Sequence, residues 1–323
     1  MGKGCALAKI MRILITGGFG FIGGRLGKNL DDAGHQVVLG ARKLQESPTW
    51  LPNADVEVTS WTDSRLLGKA CAGIDVIIHA AGMNAQDCTA DPIAALESNG
   101  IATARLVKAA IDAGVQRIIY LSTAHVYASP LIGTITEDSC PRSLHSYATS
   151  HLVGEYAVLG ADQRGQIDGM VLRLSNVFGA PMHRGVNCWM LLVNDLCRQA
   201  VQERQLVLRS NPSQQRDFVT MTEVCGFISS LTERGAHSNF PRVINVGSGQ
   251  SAQLVTMASL VQSRCEALFN YKPVIRALTS EKADSQVPLV YKTDRLRGTG
   301  LGIPIAPSVE IDALLQFCRE AFS

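Results

Sequence analysis

A glycine-rich segment near the amino end constrains the fold of this chain more than any other feature. Residues 16–23 read TGGFGFIG. An apolar, β-branched run at residues 12–16 predicts a strand that leads into it, and the apolar periodicity of residues 21–33 predicts a helix that follows it. The glycines therefore fall in the turn between a strand and a helix.

Each glycine of this turn has a physical use. Gly17 permits a tight turn, Gly20 lets the backbone approach a diphosphate, and Gly23 lets the helix pack closely on the strand. The free N–H groups at the helix start add donors and a partial positive charge that favour phosphate. The segment predicts a dinucleotide-binding unit, and an ordinary tight turn is the alternative.

The end of the second predicted strand, at residues 37–39, bears on which dinucleotide is bound. An acidic residue there would bind the adenosine ribose hydroxyls, but the chain has Arg42 and Lys43 instead. Arg42 can stack on adenine and pair with a 2′-phosphate. These cations favour NADP over NAD, with a solvated pair of loop cations as the alternative.

Short β-branched runs alternate with helical patterns through the first half of the chain, which is typical of a parallel sheet. Among the predicted elements are a long helix at 92–113, a strand at 117–121, a helix at 147–159 and a helix at 188–201. The predicted fold class is α/β, a Rossmann-type doubly wound parallel sheet with a smaller C-terminal substrate-binding lobe.

The same pattern predicts how the chain is divided. Residues 11–176 are predicted to form the dinucleotide-binding domain, and residues 217–247 to return to it. Residues 177–216 and 248–323 are predicted to form the substrate-binding lobe, with the ligand in the crevice between the two. Residues 1–10 are predicted to be a leader or an extension ahead of the fold.

Composition excludes several classes of function. Thirty basic and 28 acidic side chains leave a net charge of +2, which argues against a nucleic-acid or membrane partner. Nine dispersed cysteines predict buried thiols in a reducing compartment rather than a zinc site or disulfides, so no metal is expected. No apolar run approaches the ~18 residues that span a bilayer. The predicted location is the cytoplasm.

Further motifs follow the glycine loop in a fixed order. They are HAAG at 79–82, Asn99, LSTAHVY at 121–127, Tyr147, RLSNVFG at 173–179, RDFV at 216–219 and NVG at 245–247. Jointly, from residue 11 to the C-terminus, they resemble the extended short-chain dehydrogenase/reductases. This group comprises NAD-dependent epimerases and dehydratases that act mostly on nucleotide sugars.

The resemblance implies a catalytic set. Thr123 would hydrogen-bond the reacting oxygen of the substrate, and Tyr147 would be the acid/base that exchanges its proton, while nicotinamide carries the hydride. His151 would position the ribose and Tyr147.

The resemblance to this family also implies two sets of binding residues. The residues implied around the cofactor are Gly17, Gly20, Phe21, Ile22, Gly23, Arg42, Lys43, Trp61, Ala80, Ala81, Gly82, Asn99, Tyr147 and His151. Those implied on the substrate side are Met83, Asn84, Thr123, Asn176 and Arg216. Arg216 would hold the diphosphate of a nucleotide sugar, the alternative being an ion pair with Asp217 or another carboxylate.

The chain departs from the family pattern at His151. The pattern is Tyr-x-x-x-Lys, and residues 147–151 read YATSH, with both ends on one helix face. The usual lysine lowers the pKa of the tyrosine and holds the nicotinamide ribose. A neutral histidine can still donate one hydrogen bond, but it supplies a charge only if an acidic neighbour raises its pKa. A histidine merely packed at this face is the alternative.

Two other departures from the family pattern bear on adenine binding and on the reaction. Ser60 stands where the family often has an aspartate for the adenine amino group, which leaves Trp61 and Asp63 as possible adenine neighbours. The sugar dehydratases carry Thr-Asp-Glu-Val where this chain has TAHV at 123–126, so dehydratase activity is disfavoured. His125 would be a substitute acid/base there or simply a packed side chain.

Two hypotheses remain for the function. The first is an NAD(P)-dependent epimerase or ketoreductase that acts on a nucleotide-linked sugar. The second is an NAD(P)-binding sensor or partner subunit with little or no turnover, motivated by the missing lysine.

The family also implies a homodimer. It would form through the predicted helix at 92–113 and the helix that carries Tyr147. The small residues available for close helix contact are Ala94, Ala95, Ala102, Ala104, Ala109 and Ala110. The alternative is that these alanines pack on the sheet.

Overall fold

The computed structural model describes residues 9–234, 240–277 and 287–323. The predicted leader at 1–10 therefore lies mostly outside the described residues. The strands are β1 (Arg12–Thr16), β2 (Gln36–Ala41), β3 (Asp55–Val58), β4 (Val76–His79), β5 (Arg117–Thr123), β6 (Gly133–Ile135), β7 (Asp168–Leu174), β8 (Asn176–Phe178), β9 (Gln205–Leu208), β10 (Gln215–Thr220), β11 (Val243–Val246), β12 (Ser251–Gln253), β13 (Val274–Ala277) and β14 (Leu289–Tyr291).

The helices alternate with these strands in the first half of the chain. They are α1 (Phe21–Asp32), α2 (Ser64–Cys71), α3 (Ala85–Ala90), α4 (Pro92–Ala95), α5 (Ala102–Asp112), α6 (Ser146–Gln163), α7 (Leu192–Glu203), α8 (Met221–Thr232), α9 (Leu254–Phe269), α10 (Asp294–Gly298) and α11 (Pro307–Phe322). A π-helical segment, Leu96–Ile101, joins α4 to α5, and a 3₁₀ turn, Ala124–Val126, follows β5.

Seven strands form one large sheet in the order β11-β7-β5-β4-β1-β2-β3. All neighbouring pairs in it are parallel. The order reverses at β1 and β4, so the carboxyl ends of these two strands flank the crevice where such sheets bind ligands. The predicted α/β class, a doubly wound parallel sheet of the Rossmann type, is confirmed.

Helices cover both faces of the sheet because its strands are apolar on both sides. On one face, Leu26 and Leu30 of α1 and Phe227 of α8 join the core. On the other face, Leu67 of α2, Leu106 of α5 and Val158 of α6 do so. These core side chains are at most 2% exposed.

Elements from the second half of the chain form a core of their own. Helices α7, α9 and α11 pack around a third apolar core. The pair β9–β13 and the three-stranded sheet β12-β10-β8 lie beside it. Seven of the eight described cysteines are buried and all eight are free thiols, as the sequence predicted, whereas Cys140 is exposed. Cys5 lies outside the described residues.

The prediction of one continuous α-helix at 92–113 is wrong for the middle of that range. The backbone widens into the π-helical segment between α4 and α5. There a Cβ on Gly100 would stand 2.8 Å from the Val153 side chain, so the glycine allows the segment to lie against α6. π-Helical segments are rare and frequent at functional sites. Here the segment carries Asn99.

Two further observations concern the helices. Helix α7 begins at Leu192 rather than at residue 188, because residues 183–191 form turns. Within the described parts of the chain, no helix has the length and apolarity needed to cross a membrane.

Candidate active site

The glycine loop between β1 and α1 is shaped as a phosphate cradle. Gly17 has φ +68°, and a Cβ on it would stand 2.9 Å from Cα of Ala81. A Cβ on Gly23 would stand 2.3 Å from the carbonyl oxygen of Gly17. Neither position can hold a side chain without moving the backbone, so both glycines are required by close packing.

The start of α1 leaves its donors free of side-chain caps. Gly20 is the N-cap residue, and it has no side chain to satisfy the first backbone N–H groups of the helix, which belong to Phe21, Ile22 and Gly23. These donors and the helix dipole suit the diphosphate of a dinucleotide. The residues present therefore fit the cofactor that the sequence predicted.

The loop after β4 lies against this turn. Thr16 Oγ1 accepts a hydrogen bond from the backbone N–H of Ala81 at 3.3 Å. Asn99, on the π-helical segment, accepts from the backbone N–H of Met83 at 2.7 Å and donates to Ser150 Oγ at 3.0 Å. Ala80 and Gly82 belong to the same loop. Asn99 thus ties this loop to α6.

Thr123 and Tyr147 are brought together at the carboxyl end of β5. Thr123 is the last residue of the strand, and Tyr147 lies in the first turn of α6, where its backbone N–H donates to His145 Nδ1 at 3.1 Å. The Thr123 side chain lies near the Tyr147 hydroxyl. Burial raises the pKa of Tyr147 to about 12, and the nearby Thr123 side chain offsets part of that rise. Tyr147 is a protonated phenol at neutral pH.

His151 lies one turn after Tyr147 and is neutral. Its ring packs edge-on against the Tyr147 ring, with centroids 4.6 Å apart. Burial lowers its pKa to about 4. No carboxylate forms an ion pair with it among the described residues, so nothing supplies the charge of the usual lysine. What His151 can offer is a hydrogen bond.

The residues predicted to lie near the adenine of the cofactor are exposed or half-buried. Trp61 follows β3, and its ring packs against His79 with centroids 5.7 Å apart. Arg42 and Lys43 are exposed at the end of β2 and form no ion pair with any described residue. Asp63 accepts from the backbone N–H groups of Arg65 and Leu66. It is the N-cap of α2 rather than a free adenine ligand.

Arg216 is the prominent cation on the predicted substrate side. It is half-buried in β10, and its one hydrogen bond to a described residue goes to Gln214 Oε1 at 3.3 Å. The alternative of an ion pair with Asp217 is not observed, because that carboxylate accepts from Ser248. Arg216 contributes, after burial, to lowering the pKa of His125 to about 4. His125 and Arg216 therefore lie near each other.

Two other predicted substrate residues make local structural contacts. Asn176 Nδ2 donates to the backbone carbonyl of Asp217 at 2.9 Å and links β8 to β10. Asn84 accepts from the backbone N–H of Asp87 at 3.0 Å and caps α3. Met83 lies beside it, tied to Asn99 through its backbone.

Sequence reasoning missed several polar residues behind the site. Tyr120 is fully buried on β5, and its hydroxyl lies 2.8 Å from His151 Nδ1. Thr103 Oγ1 lies 2.9 Å from His79 Nε2. The alternation of β5 was an available signal, since it places Tyr120 and Ser122 on one face, toward α6.

A groove of about 520 Å³ between α2 and α5 contains Trp61 but none of the other predicted site residues. Over the described ranges, no group of three or more histidine, cysteine or carboxylate side chains is arranged to hold a metal ion.

The cradle at α1, the reversal of strand order above it and the Thr123–Tyr147 pair define a nicotinamide-dinucleotide enzyme of the extended short-chain dehydrogenase/reductase type. A model of the NAD-dependent epimerase/dehydratase family matches residues 13–247, and the chain belongs to this family.

Named relatives are enzymes of nucleotide-sugar metabolism. The chain is 32% identical to dTDP-6-deoxy-L-talose 4-dehydrogenase (NAD(P)(+)) of Kitasatospora kifunensis, over 75% of each protein. It is 28% identical to a UDP-glucose 4-epimerase of Azospirillum brasilense, over 52% of this chain and 50% of that protein. These relatives disfavour the sensor hypothesis.

Solved structures share the fold. UDP-glucose 4-epimerase of Thermotoga maritima, with UDP-glucose, superposes with a TM-score of 0.80 at 19% identity, over 97% of this chain and all of that one. A dTDP-glucose 4,6-dehydratase of Streptomyces venezuelae, with NAD bound, superposes with a TM-score of 0.79 at 21% identity, over 96% of this chain and 97% of that one.

Proposed function

We propose that this protein is an NAD(P)H-dependent reductase that converts a ketone of a nucleotide-linked sugar to the secondary alcohol. The observation that carries the proposal is the buried Tyr147 phenol, which lies near Thr123 and is protonated at neutral pH. A protonated phenol is the proton donor that ketone reduction needs. Epimerisation through the same residues is the alternative, and it needs Tyr147 to act as a base as well.

The residues divide the work as follows. The bound nicotinamide cofactor supplies the hydride. Tyr147 gives its hydroxyl proton to the ketone oxygen as the carbon is reduced. Thr123 holds that oxygen by a hydrogen bond and keeps it beside the phenol. His151 orients the cofactor ribose as a neutral donor.

Arg216 supports a nucleotide-linked substrate. A half-buried guanidinium without a carboxylate partner among the described residues is costly unless an anion completes the site. A diphosphate meets this need, because its oxygens accept paired hydrogen bonds from a guanidinium. The relative that acts on dTDP-6-deoxy-L-talose supports a dTDP-linked deoxy sugar with the reaction at carbon 4.

A substrate panel tests the proposal. Purified protein is mixed with NADPH or NADH and dTDP-linked or UDP-linked 4-keto sugars, and the near-ultraviolet absorbance of the reduced cofactor is followed. The expected result is oxidation of the cofactor and formation of one sugar alcohol. Conversion of UDP-glucose to its epimer without net absorbance change would instead establish the epimerase. Cofactor binding with no change in any sugar would contradict both.

We also propose that NADP(H) is preferred over NAD(H). Arg42 and Lys43 stand exposed where a 2′-phosphate would lie, and neither is engaged by a described carboxylate. We expect Arg42→Ala to raise the dissociation constant for NADPH about tenfold, because a charged hydrogen bond is lost. The constant for NADH should change little. Quenching of protein fluorescence on titration measures both.

The matched control for this prediction is Arg65→Ala. Arg65 is an exposed cation on α2, beyond the proposed 2′-phosphate position. It should leave both constants unchanged. If Arg42→Ala weakens both cofactors equally, the arginine stacks on adenine and does not select the phosphate.

A homodimer is proposed from the outer face of α4, the π-helical segment and α6. This face exposes the apolar side chains Ile93, Leu96, Ile101, Val153 and Tyr156. Such a contiguous patch is typical of a protein interface. The six alanines fall into three groups: Ala95, Ala102 and Ala110 are buried within the subunit, Ala94 and Ala109 are half-buried, and Ala104 is exposed.

The division into lobes and the cellular location are further proposals. β11 at the edge of the large sheet and the packing of α8 on α1 support a return of the chain to the cofactor domain. We place that return at Met221 rather than at residue 217, since β10 belongs to the small sheet. The eight described free thiols support a reducing compartment such as the cytoplasm.

A further inference from the structure

The imidazole of His151 has a partner on the side away from Tyr147. Tyr120, from the middle of β5, is 1% exposed, and its hydroxyl lies 2.8 Å from His151 Nδ1. The two rings stack with centroids 5.8 Å apart and planes 30° apart. This contact joins the strand beneath the site to the residue that replaces the family lysine.

Both groups are uncharged at neutral pH. Burial lowers the pKa of His151 to about 4, and burial raises the pKa of Tyr120 well above its ordinary value. A neutral imidazole carries one N–H and one bare nitrogen. The hydrogen between Tyr120 and His151 therefore decides whether Nε2, the other ring nitrogen, is a donor or an acceptor.

The surroundings of Tyr120 favour one arrangement. A buried phenol O–H that finds no acceptor is costly, and His151 Nδ1 is the acceptor within hydrogen-bond distance. Thr103, Glu155 and His79 are also near Tyr120, but among the described side chains only His151 forms a hydrogen bond with the Tyr120 hydroxyl. The Thr103 hydroxyl hydrogen is used on the Asn99 carbonyl at 2.5 Å, and the same oxygen lies 2.9 Å from His79 Nε2.

The hydrogen bonds of the neighbouring His79 also fix which of its ring nitrogens carries the hydrogen. Since the Thr103 hydrogen is used on Asn99, His79 must donate through Nε2 and accept through Nδ1. Thr16 Oγ1, 2.6 Å from that Nδ1, is then the donor to it. Each of these hydrogen bonds then has one donor and one acceptor, and both His79 and His151 are neutral.

We propose that Tyr120 is a positioning residue that holds His151 in its Nε2–H form by donating to Nδ1. The inference rests on the proposed function, in which His151 lines the cofactor site. His151 Cε1 lies 3.8 Å from the place of a Cβ on Gly82, so the ring lies against the predicted cofactor loop. Two neutral side chains, Tyr120 and His151, then supply the ribose donor that one lysine supplies elsewhere in the family.

The first test needs no variant and no ligand. Nitrogen-15 correlation spectra of the histidine rings in the apoprotein, at neutral pH, report which ring nitrogen carries hydrogen, and His151→Gln identifies the His151 signals. We expect His151 to be in the Nε2–H form, with Nδ1 shifted as a hydrogen-bonded acceptor. A His151 ring with hydrogen on Nδ1 would overturn the inference and leave the substrate panel unaffected.

The second test is a double-variant cycle on cofactor affinity. Tyr120→Phe keeps the ring and removes the hydroxyl, and we expect the dissociation constant for NADPH to rise about tenfold as the histidine loses its orientation. In a His151→Lys background the same change should have almost no effect, because an ammonium group has three hydrogens and no tautomers. Equal losses in both backgrounds would show a merely structural tyrosine.

A control separates orientation from general destabilisation. Tyr271→Phe removes a tyrosine hydroxyl that donates to the Ala200 carbonyl at 2.7 Å in the C-terminal lobe. It should lower the melting temperature without changing NADPH affinity. If no nucleotide sugar reacts but His151 is Nε2–H and the cycle behaves as expected, the proposed function fails and the role of Tyr120 stands.

Discussion

Tyr147→Phe is expected to lower kcat by about a thousandfold, the middle of the range for a lost general acid. The change keeps the ring that packs on His151 and removes only the hydroxyl near Thr123. The dissociation constant for NADPH should therefore stay within about twofold of the original. Single-turnover absorbance measurements and fluorescence titration give the two quantities separately.

Tyr156→Phe is the control for this prediction. Tyr156 lies on the same helix with its side chain exposed, away from Thr123. It should keep full activity. A Tyr147→Phe variant that retains more than about a tenth of the wild-type kcat would exclude the phenol as the general acid.

His151→Lys is expected to change the pH dependence of the oxidation direction. Oxidation needs the phenolate of Tyr147, whose pKa is raised to about 12, so the wild-type rate should rise with pH from 6 to 8. An ammonium group beside the phenol would lower that pKa by about 1 to 3 units. The oxidation rate at pH 7 should then rise about tenfold or more.

Two comparisons test whether the positive charge at position 151 causes this change in the pH profile. His151→Gln keeps a neutral donor, so it should leave the position of the pH profile unchanged. His151 itself should add no inflection between pH 6 and 8, because its pKa of about 4 leaves it neutral throughout. A wild-type reduction rate that falls across that range would indicate a protonated His151 and contradict the buried, neutral state.

Much of the fold could be predicted because its signals are local. The alternation of β-branched runs and helical periods identified the parallel sheet, and the glycines of residues 16–23 identified the cradle. The π-helical segment could not be predicted, because one extra residue per turn barely alters the periodicity of a long helix. The segment lies close to α6 at Gly100 and Val153, which are distant in sequence.

Motifs in the sequence pointed to residues of the candidate site but not to their protonation. Thr123 and Tyr147 were identified by motif, and the structure brings them together. The neutrality of His151 depends on burial, and its hydrogen-bond partner Tyr120 lies 31 positions earlier in the chain. Asn84 and Asp63 were interpreted as possible ligand neighbours although each precedes a helix. Asparagine and aspartate at such positions commonly act as caps.

Helix α6 is fastened to strand β5 at two points one helical turn apart. His151 meets Tyr120, and Glu155 accepts from Ser122 at 2.5 Å while also pairing with Arg173 of β7. Rotation or sliding of the helix would have to break both attachments. Under the proposed function, the Tyr147 phenol should therefore keep its position relative to β5 whether or not cofactor and sugar are bound.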